Sequence, residues 1–179
     1  MLPLLLGFLV VALPIPAFSV GQAALPTLGL PDNARYTALG GAGGAICDDE
    51  GAILLNPAGL YLWQKESHYA VGASFDFNYL LPEFRLEDLY HHNTSIFGRY
   101  KDWAAFAISN KYTSFGKNWW TDEVGRYLGS VHNYDNFITL TIAGNLEKLG
   151  VPWPNYSLGL NIKYIKSVLA GMQVGNQIR

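Results

Sequence analysis

The sequence is poor in cysteine, in charge and in long apolar runs. It has one cysteine, Cys47, so no disulfide can form within the chain. Lys and Arg number 12 against 14 Asp and Glu, and the resulting net charge of −2 offers no basic surface for nucleic acid. Beyond Ser19 no apolar run reaches the length of about 18 residues that marks a transmembrane helix. Any later membrane crossing must therefore use strands.

Hydrophobic and aromatic residues are abundant instead. Half of the 179 residues are hydrophobic, 14% are aromatic and the mean hydropathy is +0.11. Disordered chains have few aromatic residues and a high charge density, so that class is excluded. The length suits one domain with ample apolar material for a core. Many aromatic residues and glycines with few charges fit a membrane β-barrel at least as well as a soluble domain.

Residues 1–19 are predicted to be a signal peptide. The stretch from Leu2 to Phe18 is apolar throughout, and Ala17-Phe18-Ser19 has the small-x-small pattern that a signal peptidase cuts. Pro14 and Pro16 would interrupt a helix before it crossed the bilayer, which favours export over a permanent anchor. No Lys or Arg precedes the apolar run, which departs from the usual signal peptide.

Residues 20–66 are rich in Gly and Ala and show no regular period. Their small side chains suit a compact segment pressed against another part of the protein. Gly40 to Gly44 do not match a phosphate-binding loop, because no strand precedes them and no Lys follows. Asp48, Asp49 and Glu50 lack the alternating oxygen ligands of a calcium loop, which favours a solvated acidic turn.

From Ser67 onward the pattern has a period of two. The first and last strands each have an apolar face that begins and ends with an aromatic residue, over residues 69–79 and 156–164. About 9–11 tilted residues cross a bilayer, and aromatic rings prefer the headgroup level, so these faces are predicted to meet lipid. The residues predicted to face lipid are Tyr69, Val71, Phe75, Phe77, Tyr79, Leu158, Leu160, Ile162 and Tyr164.

Three weaker strands are predicted over residues 93–101, 103–112 and 136–145. Together with the first and last strands they make five, and a sixth is expected to begin after Arg179. A soluble β-sandwich would also alternate, but its exposed faces should carry Lys, Glu and Thr. Here the polar face is Ser, Gly, Asn and Asp, and the other face keeps large aromatic residues up to its ends. The residues alone therefore favour a membrane barrel.

The connections are predicted to alternate in length. Residues 81–92 and 113–135 form long loops, Lys101-Asp102 is a tight turn, and residues 147–154 form a connection of moderate length. Outer-membrane barrels have short periplasmic turns and longer extracellular loops. Residues 81–92 and 113–135 are therefore expected to face the exterior.

Five short blocks carry a resemblance to a known family. They are Ala34-Arg35-Tyr36-Thr37-Ala38-Leu39-Gly40-Gly41-Ala42, Asp48-Asp49, Asn56-Pro57-Ala58-Gly59-Leu60, Tyr112-Thr113-Ser114-Phe115-Gly116 and Gly159-Leu160-Asn161-Ile162-Lys163-Tyr164-Ile165. These blocks resemble the start of the PorV/PorQ family of outer-membrane barrels, which are related to the FadL transporters of hydrophobic compounds.

The resemblance implies an all-β fold, an antiparallel transmembrane β-barrel of the FadL/PorV type. Residues 67–179 would supply its first five or six strands, and residues 20–66 a Gly/Ala-rich, partly helical hatch inside the lumen. The hatch motif would consist of Gly40, Gly41, Asp48, Asp49, Asn56, Pro57, Ala58 and Gly59.

Barrels of this family have many more strands than five or six. An open sheet in lipid would leave the backbone N–H and C=O groups of two edges unpaired, and each group costs several kcal/mol. The chain also ends at Arg179 without the terminal aromatic residue that such barrels usually carry. We therefore expect the N-terminal piece of a longer protein, or a gene fragment.

The resemblance implies a role in handling exported cargo at the cell surface, as in type IX secretion. Its partners would be outer-membrane lipid, secreted cargo proteins and components of the secretion machinery. FadL-like uptake of hydrophobic small molecules across the outer membrane is the alternative within the same fold. An alternative of another class is a secreted soluble β-protein that binds glycans through Trp119 and Trp120, although these residues also suit interface anchoring or loop packing.

No catalytic, metal or cofactor site is predicted. The four histidines are His68, His91, His92 and His132. His91 and His92 are adjacent and would point to opposite faces of a strand, and no carboxylate spacing completes a zinc site. Cys47 has no assignable histidine partner, and Ser114 lies outside any G-x-S-x-G context. We therefore expect a protein that is not an enzyme.

Overall fold

The computed structural model describes residues 25–30, 33–64, 66–101, 103–148, 150–152, 156–169 and 172–173. The predicted signal peptide and the last six residues of the chain lie outside this part. Within it the protein is mostly antiparallel β-sheet with a few short helices. No helix among the described residues has the length and apolar character needed to span a membrane.

Short helices make up half of the described part of the N-terminal segment, which we define as residues 25–64. They are the α-helices α1 (Ala34–Ala38) and α2 (Ala52–Leu55) and the 3₁₀ helices Pro26–Gly29 and Pro57–Leu62. Each 3₁₀ helix begins with a proline, whose fixed φ suits the first turn. Asn33 caps α1 by accepting a hydrogen bond from the backbone N–H of Tyr36 at 2.9 Å. After α1, Gly40 adopts a φ of 63°, the left-handed conformation that ends helices.

Six antiparallel strands form one sheet in chain order. They are β1 (Tyr69–Tyr79), β2 (Leu89–Tyr100), β3 (Ala104–Thr121), β4 (Tyr127–Asn145), β5 (Ser157–Leu169) and β6 (Met172–Gln173). Each strand pairs with the next, so β1 and β6 are the edges and the sheet is open. We call the end of the sheet where residues 101–103 join β2 to β3 the proximal end, and the opposite end the distal end.

The predicted first strand is confirmed at both of its ends, and the other strands are longer than predicted. β2 begins at Leu89, so residues 81–92 are a loop only in part. A short connection between β2 and β3 is confirmed, although Asp102 lies outside the described residues. β6 begins at Met172, whereas the prediction placed a sixth strand after the last residue. The strands are longer than predicted because backbone hydrogen bonding continues where the alternation of side chains is weak.

The prediction of a long loop over residues 113–135 is wrong. These residues lie mostly in β3 and β4, which continue past the ends of β2 and β5 as a two-stranded ribbon, in which Lys117 pairs with His132 and Trp119 with Ser130. Only residues 122–126 form the turn. A register shift between Ser114 and Lys117, where Gly116 adopts a φ of 77°, lets the pairing continue past a bulge.

Hydrophobic side chains are exposed on one face of the sheet and polar side chains are buried on the other, the reverse of the usual arrangement in a soluble protein. One face, the apolar face, exposes large hydrophobic side chains on every strand from β1 to β5, among them Val71, Ile108 and Leu140. The other face, the polar face, is covered in part by the N-terminal segment. Polar and charged residues of β2, β3 and β4 are buried there: His91, Asn93, Ser95, Arg99, Ser109, Lys111, Thr113, Asn133, Asp135, Thr139 and Thr141.

The hydrophobic core lies between the N-terminal segment and the proximal part of the polar face. Its buried members from the segment are Cys47, Ala52, Ile53 and Leu60, and those from the sheet are Phe97, Ala105, Ala107 and Ala143. The sheet contributes mainly alanine, so the segment can approach the strands closely.

Candidate functional site

The candidate site is the interface between the N-terminal segment and the polar face. The N-terminal segment and the sheet come very close together where the Asn-Pro-Ala-Gly motif packs against β5. A Cβ added to Gly159 would overlap the backbone N of Ala58 and the carbonyl carbon of Pro57, and would come within 2.8 Å of the Pro57 Cβ. A glycine at this position of β5 is therefore required by the seated 3₁₀ helix.

Polar side chains of the sheet hold the backbone of the N-terminal segment. The Lys111 Nζ donates to the carbonyl oxygen of Leu30 at 2.7 Å, and the Asn161 Nδ2 donates to that of Ile53 at 2.7 Å. Arg99 donates in the same way to the carbonyl of Tyr61. Such bonds satisfy carbonyl groups that short helices leave unpaired at their ends, so the sheet caps the segment.

One hydrogen bond runs in the other direction, from the N-terminal segment to the sheet, and joins two buried side chains. The Thr27 Oγ1 donates to the Asp135 Oδ2 at 2.7 Å, and only 1% of the surface of Asp135 is exposed. Hydrogen bonds to charged groups contribute about 1.5–3 kcal/mol, more than neutral ones. The contact ties the first described helix of the segment to β4.

Aromatic contacts support the proximal part of the interface. The Arg99 guanidinium carbon lies 4.5 Å from the centre of the Tyr61 ring, and the rings of Trp63 and Phe97 pack edge to face with centres 4.7 Å apart. A Cβ at Gly72 would lie 2.7 Å from the Phe97 ring. The small residue on β1 therefore makes room for Phe97 to reach Trp63.

Tyr36 organises the interior of the N-terminal segment. Its ring is 1% exposed and lies between Gly43 and Gly51, where an added Cβ on either glycine would overlap the ring. Its hydroxyl donates to the Asp49 Oδ1 at 2.8 Å. Burial, with this hydrogen bond second, raises the pKa of Tyr36, so the phenol remains a neutral donor.

Arg35 forms ion pairs with two residues of the acidic turn. Its Nη1 lies 2.8 Å from the Asp48 Oδ1 and 2.7 Å from the Asp49 Oδ2. The hydrogen bond from Arg35 lowers the pKa of Asp48, so the pair stabilises the segment above the ordinary pKa of an aspartate, and this contribution is lost as pH falls through the lowered value. The pair is solvent-exposed, so its contribution is small.

Cys47 lies in the core of the interface and is 2% exposed. Its Sγ donates to the carbonyl of Gly43 at 2.8 Å, and burial raises the pKa of the thiol. A buried thiol with a raised pKa reacts slowly with alkylating reagents. As the one cysteine of the chain, it is a selective reporter of separation between the N-terminal segment and the sheet.

The residues of the predicted hatch motif fall into three groups in the structure. Pro57 and Ala58 lie against β5, whereas Asn56 and Gly59 contact the N-terminal segment itself. The Asn56 Nδ2 donates to the carbonyl of Gly44 at 3.0 Å, and a Cβ added to Gly59 would overlap the carbonyl oxygen of Cys47. Asp48 and Asp49 pair with Arg35 within the segment. Gly40 and Gly41 form the turn after α1 and make no contact with the sheet that would need a glycine.

The nine residues predicted to face lipid lie together on the apolar face of β1 and β5, and all nine are exposed: Tyr69, Val71, Phe75, Phe77, Tyr79, Leu158, Leu160, Ile162 and Tyr164. Their common face and exposure agree with the sequence analysis. That this face meets lipid stays a prediction.

Three of the four histidines, and Ser114, lie in the sheet. His91 and His92 lie on β2, His91 on the polar face and His92 among aromatic rings of the apolar face. The Ser114 Oγ lies 2.9 Å from the His132 Nε2, but its one proton is donated to the carbonyl of Asp88 at 2.6 Å. The histidine must then donate to the serine, which is the reverse of base activation. Among the described residues, no three metal-binding side chains are grouped closely enough to hold an ion.

Sequence reasoning missed the residues that hold the N-terminal segment. Arg99, Lys111 and Asp135 are charged positions on a polar face that is otherwise made mostly of Ser, Thr, Asn and small residues. Charged residues at these positions are the signal that indicates a binding role, because a charged side chain is rarely buried without a partner. The sequence predicts Asp135 in a loop, whereas it lies in β4.

Comparison of the chain with protein-family models, with characterised proteins and with solved structures finds no match. What the site can do therefore follows from its geometry. It seats a helical segment on the polar face of a sheet whose other face is apolar and exposed.

Proposed function

We propose that this chain belongs to an outer-membrane β-barrel of the PorV/PorQ type that handles exported cargo at the cell surface. The N-terminal segment would be its hatch, lying in the lumen against the polar face. The apolar face would meet the acyl chains of the outer membrane. The proposal requires β1 and the far edge of the sheet to pair with further strands, because an unpaired edge is not tolerated in hydrocarbon.

The observation that carries the proposal is that hydrophobic side chains are exposed on one face of the sheet while polar and charged side chains are buried on the other. Soluble monomers rarely expose a continuous apolar surface larger than a few hundred Å², whereas this one extends across five strands. Buried charged residues such as Arg99, Lys111 and Asp135 are typical of a barrel whose interior is polar. A secreted glycan-binding protein would not need either feature.

The height of the apolar face suits a membrane. Its lower and upper limits on β1 are Tyr69 and Tyr79, at the two ends of an 11-residue strand. At about 3.3 Å per residue and a tilt of roughly 40°, this strand rises about 25 Å, the height of the apolar band of outer-membrane barrels. Tyr69 lies beside Tyr100, whose ring centre is 5.5 Å away, and Phe77 lies beside Tyr90 at 5.5 Å, so each end has an aromatic row.

The distal ribbon favours cargo handling over uptake of hydrophobic molecules. It extends past the ends of β2 and β5 and exposes Trp119, Val124, Tyr127 and Leu128. The rings of Trp119 and Tyr127 lie 5.2 Å apart, and Trp119 is 71% exposed. Large exposed aromatic residues are typical of protein-contact sites, and uptake of a small molecule through the lumen does not need them.

Trypsin added to intact cells is expected to cut the protein at Arg126 and to leave Lys101 intact. Both residues are exposed and lie at opposite ends of the sheet, Arg126 in the ribbon turn and Lys101 in the turn between β2 and β3. In the proposed orientation the ribbon faces the exterior and the proximal turn faces the periplasm. The fragments are identified by mass spectrometry.

Cells permeabilised in the outer membrane provide the control, since Lys101 should then be cut as well. Cleavage at Lys101 alone in intact cells would reverse the orientation. A protein that resists trypsin in intact cells and is recovered in the soluble fraction after lysis would contradict membrane insertion.

Shortening the ribbon should impair export of cargo without loss of the barrel. Residues 118–131 are replaced by Asn-Gly, a two-residue turn that can join the paired residues Lys117 and His132. Secreted proteins are expected to accumulate in the periplasm of such cells, as measured by proteomics of the periplasm and medium. Unchanged export together with reduced uptake of long-chain hydrophobic compounds would favour the FadL-like alternative.

A further inference from the structure

A polar cluster interrupts the apolar face near its distal end. Asn136 of β4 lies opposite Tyr112 of β3 on one side and Lys166 of β5 on the other. Asn110 lies diagonally across from Asn136, and the Asn110 Nδ2 donates to the Asn136 Oδ1 at 2.6 Å. Polar residues on a lipid-facing surface are costly, and those retained there commonly mark a function.

The hydrogen bond from Asn110 leaves the Asn136 Nδ2 as a donor at the centre of this cluster. The Asn136 oxygen is occupied by Asn110, and no acceptor within the described part of the chain is bonded to the Asn136 Nδ2. The ammonium group of Lys166, on the neighbouring strand, adds a positive charge. An amide N–H beside an ammonium group favours an anion with several acceptor oxygens.

The surroundings fit the rest of an amphiphilic molecule. Towards the proximal end the apolar face continues with Ile138, Leu140 and Ile162, all exposed. Towards the distal end lies Tyr134, whose ring centre is 5.7 Å from the Lys166 Nζ, and its ring stacks on that of Tyr112 at 5.6 Å. Charge therefore lies at the level of the distal aromatic row, with an aliphatic surface directly below it.

We propose that Lys166, Asn136 and Asn110 form a binding site for a phosphate-bearing membrane lipid. The phosphate accepts from the Lys166 ammonium and the Asn136 amide, while Asn110 fixes the orientation of that amide. The acyl chains lie along Ile138, Leu140 and Ile162. This inference rests on the proposed function, because acyl chains reach these residues only if the apolar face lies in a membrane.

The test is native mass spectrometry of the full-length protein in detergent with phosphatidylglycerol. Diacylglycerol with the same acyl chains lacks the phosphate and serves as the comparison lipid. Phosphatidylglycerol is expected to remain bound and diacylglycerol to dissociate. Lys166→Gln should lower the bound fraction roughly tenfold at limiting lipid, the effect of one lost charge-assisted hydrogen bond. Lys166→Arg should restore part of the binding, and Asn136→Ala should weaken it without removing the charge.

Lys163→Gln is the matched control. It removes the same charge three residues away on the polar face of β5, where Lys163 pairs with Thr139. Equal losses with both glutamine variants would overturn the site, as would displacement of phosphatidylglycerol by inorganic phosphate. A protein that stays folded and monomeric without detergent would instead refute the proposed function. An inserted protein whose lipid binding ignores Lys166→Gln would refute the lipid site alone.

Discussion

Replacing Gly159 with alanine is expected to separate the N-terminal segment from the sheet. The new Cβ would overlap the backbone of Pro57 and Ala58, and backbone cannot move aside as a flexible side chain can. Overpacking of this kind costs about 1–3 kcal/mol, which raises the population of the open state by roughly 5- to 150-fold. The rate at which a maleimide alkylates Cys47 should rise by a similar factor, measured by intact mass.

Gly98→Ala is the control for the glycine substitution itself. Gly98 lies on the apolar face of β2, and its added Cβ would approach the carbonyl oxygen of Ala70 at 3.3 Å without touching the N-terminal segment. Alkylation of Cys47 should remain slow in this variant. If both alanine variants expose Cys47 equally, the strand and not the seating of the segment is being perturbed, and the account of the interface is wrong.

Arginine at Leu160 is expected to have the largest effect on assembly. Leu160 lies on the apolar face of β5, paired with Ile142, away from both aromatic rows. A charged residue at the midplane of a barrel costs about 2–4 kcal/mol. The folded band, which migrates faster than the unfolded protein in an unheated gel, should therefore be strongly reduced in outer-membrane fractions.

The matched control for this substitution is Lys163→Arg on the same strand. Position 163 lies on the polar face and already carries a positive charge, so the folded band should be unchanged. Loss of the folded band in both variants would show that β5 tolerates no arginine on either face. That outcome would contradict the assignment of lipid to one face and lumen to the other.

The sequence predicts β1 to the residue because its alternation is strict and both ends are aromatic. The ribbon could not be predicted in the same way. The bulge between Ser114 and Lys117 shifts the register, and a second irregularity follows between Trp120 and Thr121. Each shift reverses the face on which later residues fall, so the period-two pattern is lost although the backbone pairing continues.

The sequence predicts features within the N-terminal segment but not the contacts that the segment makes with the sheet. The composition predicts a compact segment pressed against another part of the protein, and the resemblance implies that the Asn-Pro-Ala-Gly motif belongs to a hatch. The residues that hold the segment are not predicted, because Thr27 and Asp135 are 108 positions apart, as are Ile53 and Asn161. No window of sequence contains both members of such a pair, and the need for Gly159 appears only once Pro57 is placed against it.

These separations also bear on the order in which the contacts form. The N-terminal segment emerges before β5 during synthesis, so its contacts with Gly159 and Asn161 can form only after β5 is in place. Contacts of such high contact order form late, because the intervening chain must first lose its freedom. Until then the N-terminal segment has only its own internal contacts, which centre on Tyr36. The surface of the segment that later packs against β5 is therefore accessible to other proteins during this interval.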